Sequence, residues 1–382
     1  MEEKEIKVEE PKLEQVEKND PKPANTLSVI AFILALSACG ISVYNYYNGG
    51  STTTYNYGPD GNSLNFEAGS IAEVASQVSD SVVSITTEVR TKTWYGTEST
   101  GQAAGTGFII SESGYIMTNK HVVEGAKTVN ITLNNGKTYK NVKIVGTDPL
   151  NDSAILKVEN PENFKAVKLG DSKTVNVGQQ VIVIGNALGE YSNSVTSGIV
   201  SGTGRSLIAS DSTGSSYEQL NDMIQTDAAI NGGNSGGPVV NAAGEVIGIA
   251  TAYASSSQTV GFAIPIASVK GIINGVLASN KFERAVLGVQ YSPITADLAE
   301  QEKLPVSYGA LITSDVTSDS AGGNAGLKKG DIIIEVNGIQ IGKAGSLSTL
   351  IGEYKVGDEI TIKYLRNNKE NTTKVTLKAY KN

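Results

Sequence analysis

The chain has 382 residues, 39% of them hydrophobic, enough for two folded domains with further segments outside them. A formal net charge of -8 offers no basic footprint for a phosphate backbone, so nucleic acid is excluded as a partner. One cysteine, Cys39, and one histidine, His121, leave neither a disulfide framework nor a zinc-ligand cluster, and no metal or cofactor is expected.

Residues 1–26 carry runs of Glu and Lys, three prolines and few large apolar groups, a composition that cannot offset its ordering entropy; they read as a disordered, acidic cytoplasmic tail. Residues 27–47 are almost continuously apolar from Leu27 to Val43 and end on Tyr44, Tyr46 and Tyr47, which predicts a transmembrane helix acting as an uncleaved signal anchor. Leu36-Ser37-Ala38-Cys39 also resembles a lipobox, so lipidation of Cys39 after signal cleavage stays open as a second reading. Lysines lie only on the N-terminal side, and both readings leave the rest of the chain tethered on the extracytoplasmic face of the membrane. Residues 48–68, rich in Gly, Ser, Thr, Asn and Tyr, read as a flexible linker.

Short β-type runs then recur at hairpin spacing through residues 69–280: Val82 to Val89, Thr106 to Ile110, Tyr115 to Thr118, Val129 to Leu133, Tyr139 to Val145, Ala154 to Val158, Val181 to Ile184, Val195 to Val200, Val246 to Thr251 and Val260 to Ile264. Ser268 to Ala278 has helical spacing and closes this unit. Residues 285–382 form a second, small α+β module, with strands at Ala310 to Thr313 and Asp331 to Val336, a turn at Asn337-Gly338, a helix through Leu347, Leu350, Ile351 and Tyr354, and two strands joined at Asn367-Asn368. The fold class expected is therefore mainly β, with an N-terminal transmembrane helix.

The chemistry concentrates in Gly233-Asn234-Ser235-Gly236-Gly237-Pro238, where glycines flank a serine on a sharp turn. A serine hydroxyl needs a general base within hydrogen-bond reach and a third group to orient that base. His121 is the one histidine available, and Asp152 is the preferred orienter over Asp148, which precedes Pro149 in a turn where aspartate is ordinary. The order His121, Asp152, Ser235 is that of chymotrypsin-type proteases and of neither subtilisin nor the α/β-hydrolases.

The chain over residues 69 to 382 resembles the HtrA/Deg family of serine proteases, a trypsin-like domain followed by a PDZ domain. The resemblance rests on Thr118-Asn119-Lys120-His121-Val122-Val123, Asn151-Asp152-Ser153-Ala154, Thr226-Asp227-Ala228-Ala229-Ile230-Asn231 and the serine hexapeptide. It implies a chymotrypsin-like double β-barrel, Ser235 as nucleophile, His121 as base and Asp152 as orienter. The N–H groups of Gly233 and Ser235 are expected to form the oxyanion hole. Ala229 stands where enzymes that bind Arg or Lys carry an aspartate, so an apolar pocket involving Ala229 and Ile230 and cleavage after aliphatic residues are expected. Val286-Leu287-Gly288-Val289 resembles the loop with which PDZ domains capture a C-terminal carboxylate. By the same resemblance the protein is an ATP-independent endopeptidase acting on unfolded or misfolded exported proteins, and a homotrimer. A chaperone-like holdase or peptide-binding scaffold, and a regulatory protease with one dedicated substrate, are the alternatives. Gly232 departs from the family, which commonly has proline or arginine there, and loosens the entry to the serine turn.

Overall fold

A computed structural model describes residues 70–92, 98–187, 191–210, 217–253 and 260–381. The expected tail, anchor and linker, Cys39 included, lie outside them. Among the described residues no helix is long and apolar enough to cross a membrane. These residues belong to one unit, Phe66–Asn382.

Ser70 opens the first helix, α1 (Ile71–Ser79), with a capping box: its hydroxyl accepts from the Glu73 N–H and the Glu73 carboxylate accepts from the Ser70 N–H. Val74 and Val78, one turn apart, bury the inner face. Seven strands follow: β1 (Val82–Lys92), β2 (Glu98–Ile109), β3 (Tyr115–Thr118), β4 (Ala126–Leu133), β5 (Thr138–Tyr139), β6 (Lys143–Thr147) and β7 (Ala154–Lys157). They form one antiparallel sheet in the order β5-β4-β1-β2-β3-β7-β6. In β4, Val129, Ile131 and Leu133 point inward and alternate with Thr128, Asn130 and Thr132, the period of a half-buried strand. They meet Ile85, Ile109, Ile116 and Leu156 in the core of this half. A single-turn helix, α2 (Lys120–Val123), leaves the end of β3 and carries His121.

The second half is built from β8 (Lys168–Leu169), β9 (Gln180–Ala187), β10 (Tyr191–Ser210), β11 (Tyr217–Thr226), β12 (Pro238–Val240), β13 (Glu245–Tyr253) and β14 (Gly261–Pro265). The order β12-β9-β10-β11-β14-β13 closes on itself because β12 also pairs with β13, and β8 adds to β13 in parallel. Closure removes the free edges of a six-stranded ring. Its interior holds Val181, Val183, Ile224, Val239 and Ile247. The expected mainly β architecture is present, although the polar strand β11 and the short strands β8 and β12 had no counterpart among the sequence-based expectations. Helix α3 (Ala267–Ser279) closes this half with Val269, Ile272, Ile273 and Val276 buried.

The C-terminal module comprises β15 (Ala285–Val286), β16 (Tyr291–Pro293), α4 (Ala296–Gln301), β17 (Ala310–Ile312), α5 (Ala321–Asn324), β18 (Ile332–Val336), β19 (Ile339–Gln340), α6 (Leu347–Gly352), β20 (Glu359–Arg366), β21 (Lys369–Thr376) and β22 (Lys378–Ala379). The main sheet runs β16-β17-β18-β20-β21, leaving β16 on an edge, while β15 pairs with β22. Both hairpin turns anticipated from sequence have positive φ at their two central residues, 48° and 79° at Asn337-Gly338 and 50° and 61° at Asn367-Asn368, as tight hairpins require.

The module is docked on the second half by α6. Gly271 of α3 lies against the Tyr354 carbonyl, and Gly352 of α6 against the Ser268 carbonyl, so a Cβ at either position would collide with backbone. The Asp222 carboxylate, projecting from an irregularity in β11, accepts from the N–H of Ser346, the N-cap of α6, at 2.7 Å. Lys173 pairs with Glu353 just past its end.

Candidate functional site

Asp152 holds His121 by two of its atoms. The imidazole Nδ1 lies 2.6 Å from Asp152 Oδ2, and the His121 main-chain N–H donates to Asp152 Oδ1 at 2.9 Å. Asp152 is placed by the bend entering β7 and is 4% exposed. It also accepts the Thr251 hydroxyl at 2.5 Å from β13 of the second half, and its carbonyl accepts from the Asn119 amide at 2.7 Å. Burial by itself raises the Asp152 pKa, but the hydrogen bond and charge of His121 and the Thr251 hydroxyl outweigh it and hold the carboxyl below its usual value. The carboxylate is thereby kept ionised beside the ring, the arrangement that selects one imidazole tautomer and stabilises an imidazolium.

Ser235 sits on the turn between β11 and β12. Its hydroxyl donates to the Thr251 carbonyl at 3.3 Å, so Thr251 touches Ser235 through its main chain and Asp152 through its side chain. No local signal in the sequence marks Thr251, which lies 99 residues from Asp152. The turn is held mainly by backbone: Asn234 N–H to the Asn231 carbonyl at 3.0 Å, Gly236 N–H to the Ala250 carbonyl at 2.8 Å, and Thr106 N–H to the Ser235 carbonyl at 2.9 Å, with the Thr106 hydroxyl donating to the Gly233 carbonyl at 2.6 Å. Asn231 therefore anchors it by its main-chain carbonyl. Gly233 has φ 97° and Gly236 φ 86°, values that side chains rarely adopt, and a Cβ at Gly236 would strike the Thr106 carbonyl. Among the described residues the N–H groups of Gly233 and Ser235 donate to no acceptor.

Ala229 and Ile230 are placed beside this turn. The Ala229 carbonyl accepts from the Thr196 hydroxyl at 2.9 Å and the Asn234 amide at 3.4 Å. Ile230, 4% exposed, turns into the core of the second half and packs on Gly261, so it backs the neighbourhood of Ser235 from within.

Asp148 does not orient His121. It is fully buried, and Arg284, from the segment entering the C-terminal module, reaches its Oδ2 at 2.9 Å. Arg284 also donates to the Ser268 carbonyl at 2.5 Å. The other oxygen, Oδ1, accepts from the Leu150 N–H at 3.0 Å, which fixes the turn leading to Asp152. Burial pushes the Asp148 pKa up, against the Arg284 charge and these hydrogen bonds. An aspartate that reads as an ordinary turn residue is thus half of a dry ion pair between two domains.

A second candidate site lies in the C-terminal module. Val286, Leu287, Gly288 and Val289 line a cleft of about 560 Å³ with Tyr291, Leu347 and Ile351. Gly288 has φ 73°, and the N–H groups of Gly288 and Val289 donate to no acceptor among the described residues, a concave backbone arrangement suited to an anion. Edge strand β16 and helix α6 form the two walls.

Residues 105–249 match the trypsin-like peptidase domain family and residues 285–377 the PDZ domain family. The chain is 43% identical over 281 residues to a probable periplasmic serine endoprotease DegP-like of Marinomonas sp., covering 73% of this chain and 57% of that protein. It is 38% identical over 272 residues to the periplasmic serine endoprotease DegP of Escherichia coli K12, covering 70% of this chain and 55% of that one. It spans little more than half the length of these curated relatives. Among solved structures, the HtrA-type protease AlgW with a tripeptide is 31% identical with a TM-score of 0.59, covering 82% of this chain and 98% of its own. AlgW with a decapeptide is 30% identical at 0.58, covering 82% and 100%.

Proposed function

We propose that this chain, which belongs to the HtrA family of trypsin-like serine proteases with a PDZ domain, is an ATP-independent serine endopeptidase that cleaves unfolded or misfolded exported proteins after aliphatic residues. The observation that carries the reading is that Asp152 holds the His121 ring and that Thr251 bridges Asp152, by its hydroxyl, to Ser235, by its carbonyl, beside two unused N–H groups. In this mechanism Ser235 attacks the scissile carbonyl, His121 takes the hydroxyl proton and returns it to the leaving amine, and Asp152 stabilises the imidazolium formed between those steps. The developing oxyanion is met by Gly233 and Ser235, each donor being worth about 2.7 to 4 kcal/mol in the transition state. Ala229, half-buried beside the turn and carrying no charge, favours an aliphatic side chain next to the scissile bond, while Ile230 lies in the core behind it.

The PDZ cleft takes an extended C-terminal peptide, added as a strand to the free edge of β16, with its carboxylate on the N–H groups of Gly288 and Val289. The apolar segment at residues 27–47 supports a single-pass anchor with the catalytic part outside the cytoplasmic membrane, and the periplasmic relatives support the same side. A homotrimer is carried over from the family resemblance alone.

The test is digestion of a reduced, unfolded protein by residues 66–382, without ATP, beside the Ser235→Ala variant. Cleavage after aliphatic residues by the first and none by the second is expected. Equal cleavage by both overturns the assignment of Ser235, and cuts confined to basic residues overturn the apolar pocket.

A further inference from the structure

Among the described residues few large apolar side chains are left exposed, yet two of them, Leu150 and Tyr380, each at 39%, face the same cleft. Tyr380 belongs to the C-terminal module, whereas Leu150 belongs to the protease domain, two residues before Asp152. The cleft that takes the peptide is therefore walled at one end by the neighbouring domain.

The main chain of Leu150 is fixed where it meets the cleft. Its N–H is bonded to Asp148 Oδ1, and Asp148 is itself pinned by Arg284, which lines the same end of the cleft. A half-exposed leucine whose main chain is held in place at the cleft needs no backbone ordering to meet a ligand and gains by being covered. The direction of a bound chain follows from the loop at Gly288 and Val289: it precedes β16, so a carboxylate held there places the last residue of an antiparallel added strand at the end of the cleft where Ala285, Val286, Leu150 and Tyr380 lie.

Building on the peptide-binding reading above, we infer that Leu150 is a specificity-determining residue of the PDZ site, supplied by the protease domain, on which an apolar side chain of the ligand's C-terminal residue packs. The occupant is a protein C-terminus ending in a large aliphatic residue. A chain ending in alanine binds through the same main-chain contacts and the same carboxylate loop, without reaching Leu150.

The inference is tested by anisotropy titration of two labelled peptides, identical except for a final Leu or Ala, against the full chain carrying Ser235→Ala to prevent cleavage. Leu150→Ala is expected to weaken the Leu-ended peptide by about 5- to 30-fold, the range for uncovering most of one leucine side chain. The Ala-ended peptide should change by less than about twofold, and Leu150→Met should restore tight binding of the Leu-ended one. Val177→Ala, at a 65% exposed site not lining the cleft, should alter neither affinity. Unchanged binding of the Leu-ended peptide by Leu150→Ala, or equal weakening of both peptides, overturns the role of Leu150 while leaving the peptide cleft standing. Failure of the parent protein to bind either peptide overturns the peptide cleft and this inference together.

Discussion

The two halves of the proposed catalytic cleft are held by different means. On the side of the first sheet Asp152 is buried and accepts from the His121 ring, the His121 main chain and the Thr251 hydroxyl. On the second-barrel side the Ser235 turn is held mainly through main-chain bonds to Asn231, Ala250 and Thr106, with the Thr106 hydroxyl donating to the Gly233 carbonyl, and Gly232 at its entry has open space where a side chain would stand. A side-chain clamp is lost with a single residue, while a main-chain turn adjusts without losing its partners. Rigid orientation of the base and an adaptable nucleophile turn are the consequence, and five substitutions, one of them a rescue, test the arrangement.

The largest effect is expected at the clamp itself. Asp152→Asn should lower kcat by about 10⁴-fold with the fold intact, because an amide at this position favours the wrong imidazole tautomer. A loss under about tenfold in steady-state cleavage would mean that the clamp is not what orients His121.

Arg284→Met strips the cation from buried Asp148 and should destabilise the protein by about 3–5 kcal/mol in denaturant unfolding near neutral pH. The sign of its pH dependence follows from the raised Asp148 pKa. A carboxyl that holds its proton more tightly when folded contributes stability below the ordinary value of 3.8 and loses it as pH rises through the elevated folded value. The variant's deficit should therefore shrink in acid and grow toward neutrality, and Asp148→Asn in the same chain should recover part of it. A deficit independent of pH would show that lost packing, not the orphaned charge, dominates.

Thr251→Val removes one hydrogen bond to a charged group, about 1.5–3 kcal/mol, and should reduce kcat/KM by about 10- to 150-fold with KM for a short peptide nearly unchanged. The smallest effect should come from the adaptable side. Gly232 has neither a left-handed φ nor a neighbour within 4 Å of an added Cβ, so Gly232→Ala should raise stability by about 0.4–1 kcal/mol. A destabilised variant would show that the turn needs glycine there.

The same contrast explains what was legible in the sequence. Val82 to Val89, Tyr115 to Thr118, Val129 to Leu133 and the helix over Ser268 to Ala278 announce themselves by apolar runs or periodicity, because local burial writes a local pattern. Strand β11 does not: Glu218, Gln219, Asn221, Asp222 and Gln225 dominate its sequence, Leu220, Met223 and Ile224 are the large buried apolar groups among its described side chains, and Asp222 has φ 62°. Helix α1 also has a local signal, the Ser70 to Glu73 capping box, but it is short beside the β-type runs that dominate this domain. The serine turn was readable from its glycines, and His121 from being the one histidine. Thr251 and the Asp148–Arg284 pair were not, since their partners lie 99 and 136 residues away.

The reciprocal contact of Gly271 with the Tyr354 carbonyl and of Gly352 with the Ser268 carbonyl bears on how such chains can be recombined. The connecting segment after α3 is an inviting place to cut and graft, but a foreign PDZ domain with any side chain at the position of Gly352 cannot seat on this α3. The heritable unit is the pair of helices, and a chimera that keeps one parent's interdomain geometry must join upstream of Ala267, carrying α3 along with the domain it receives.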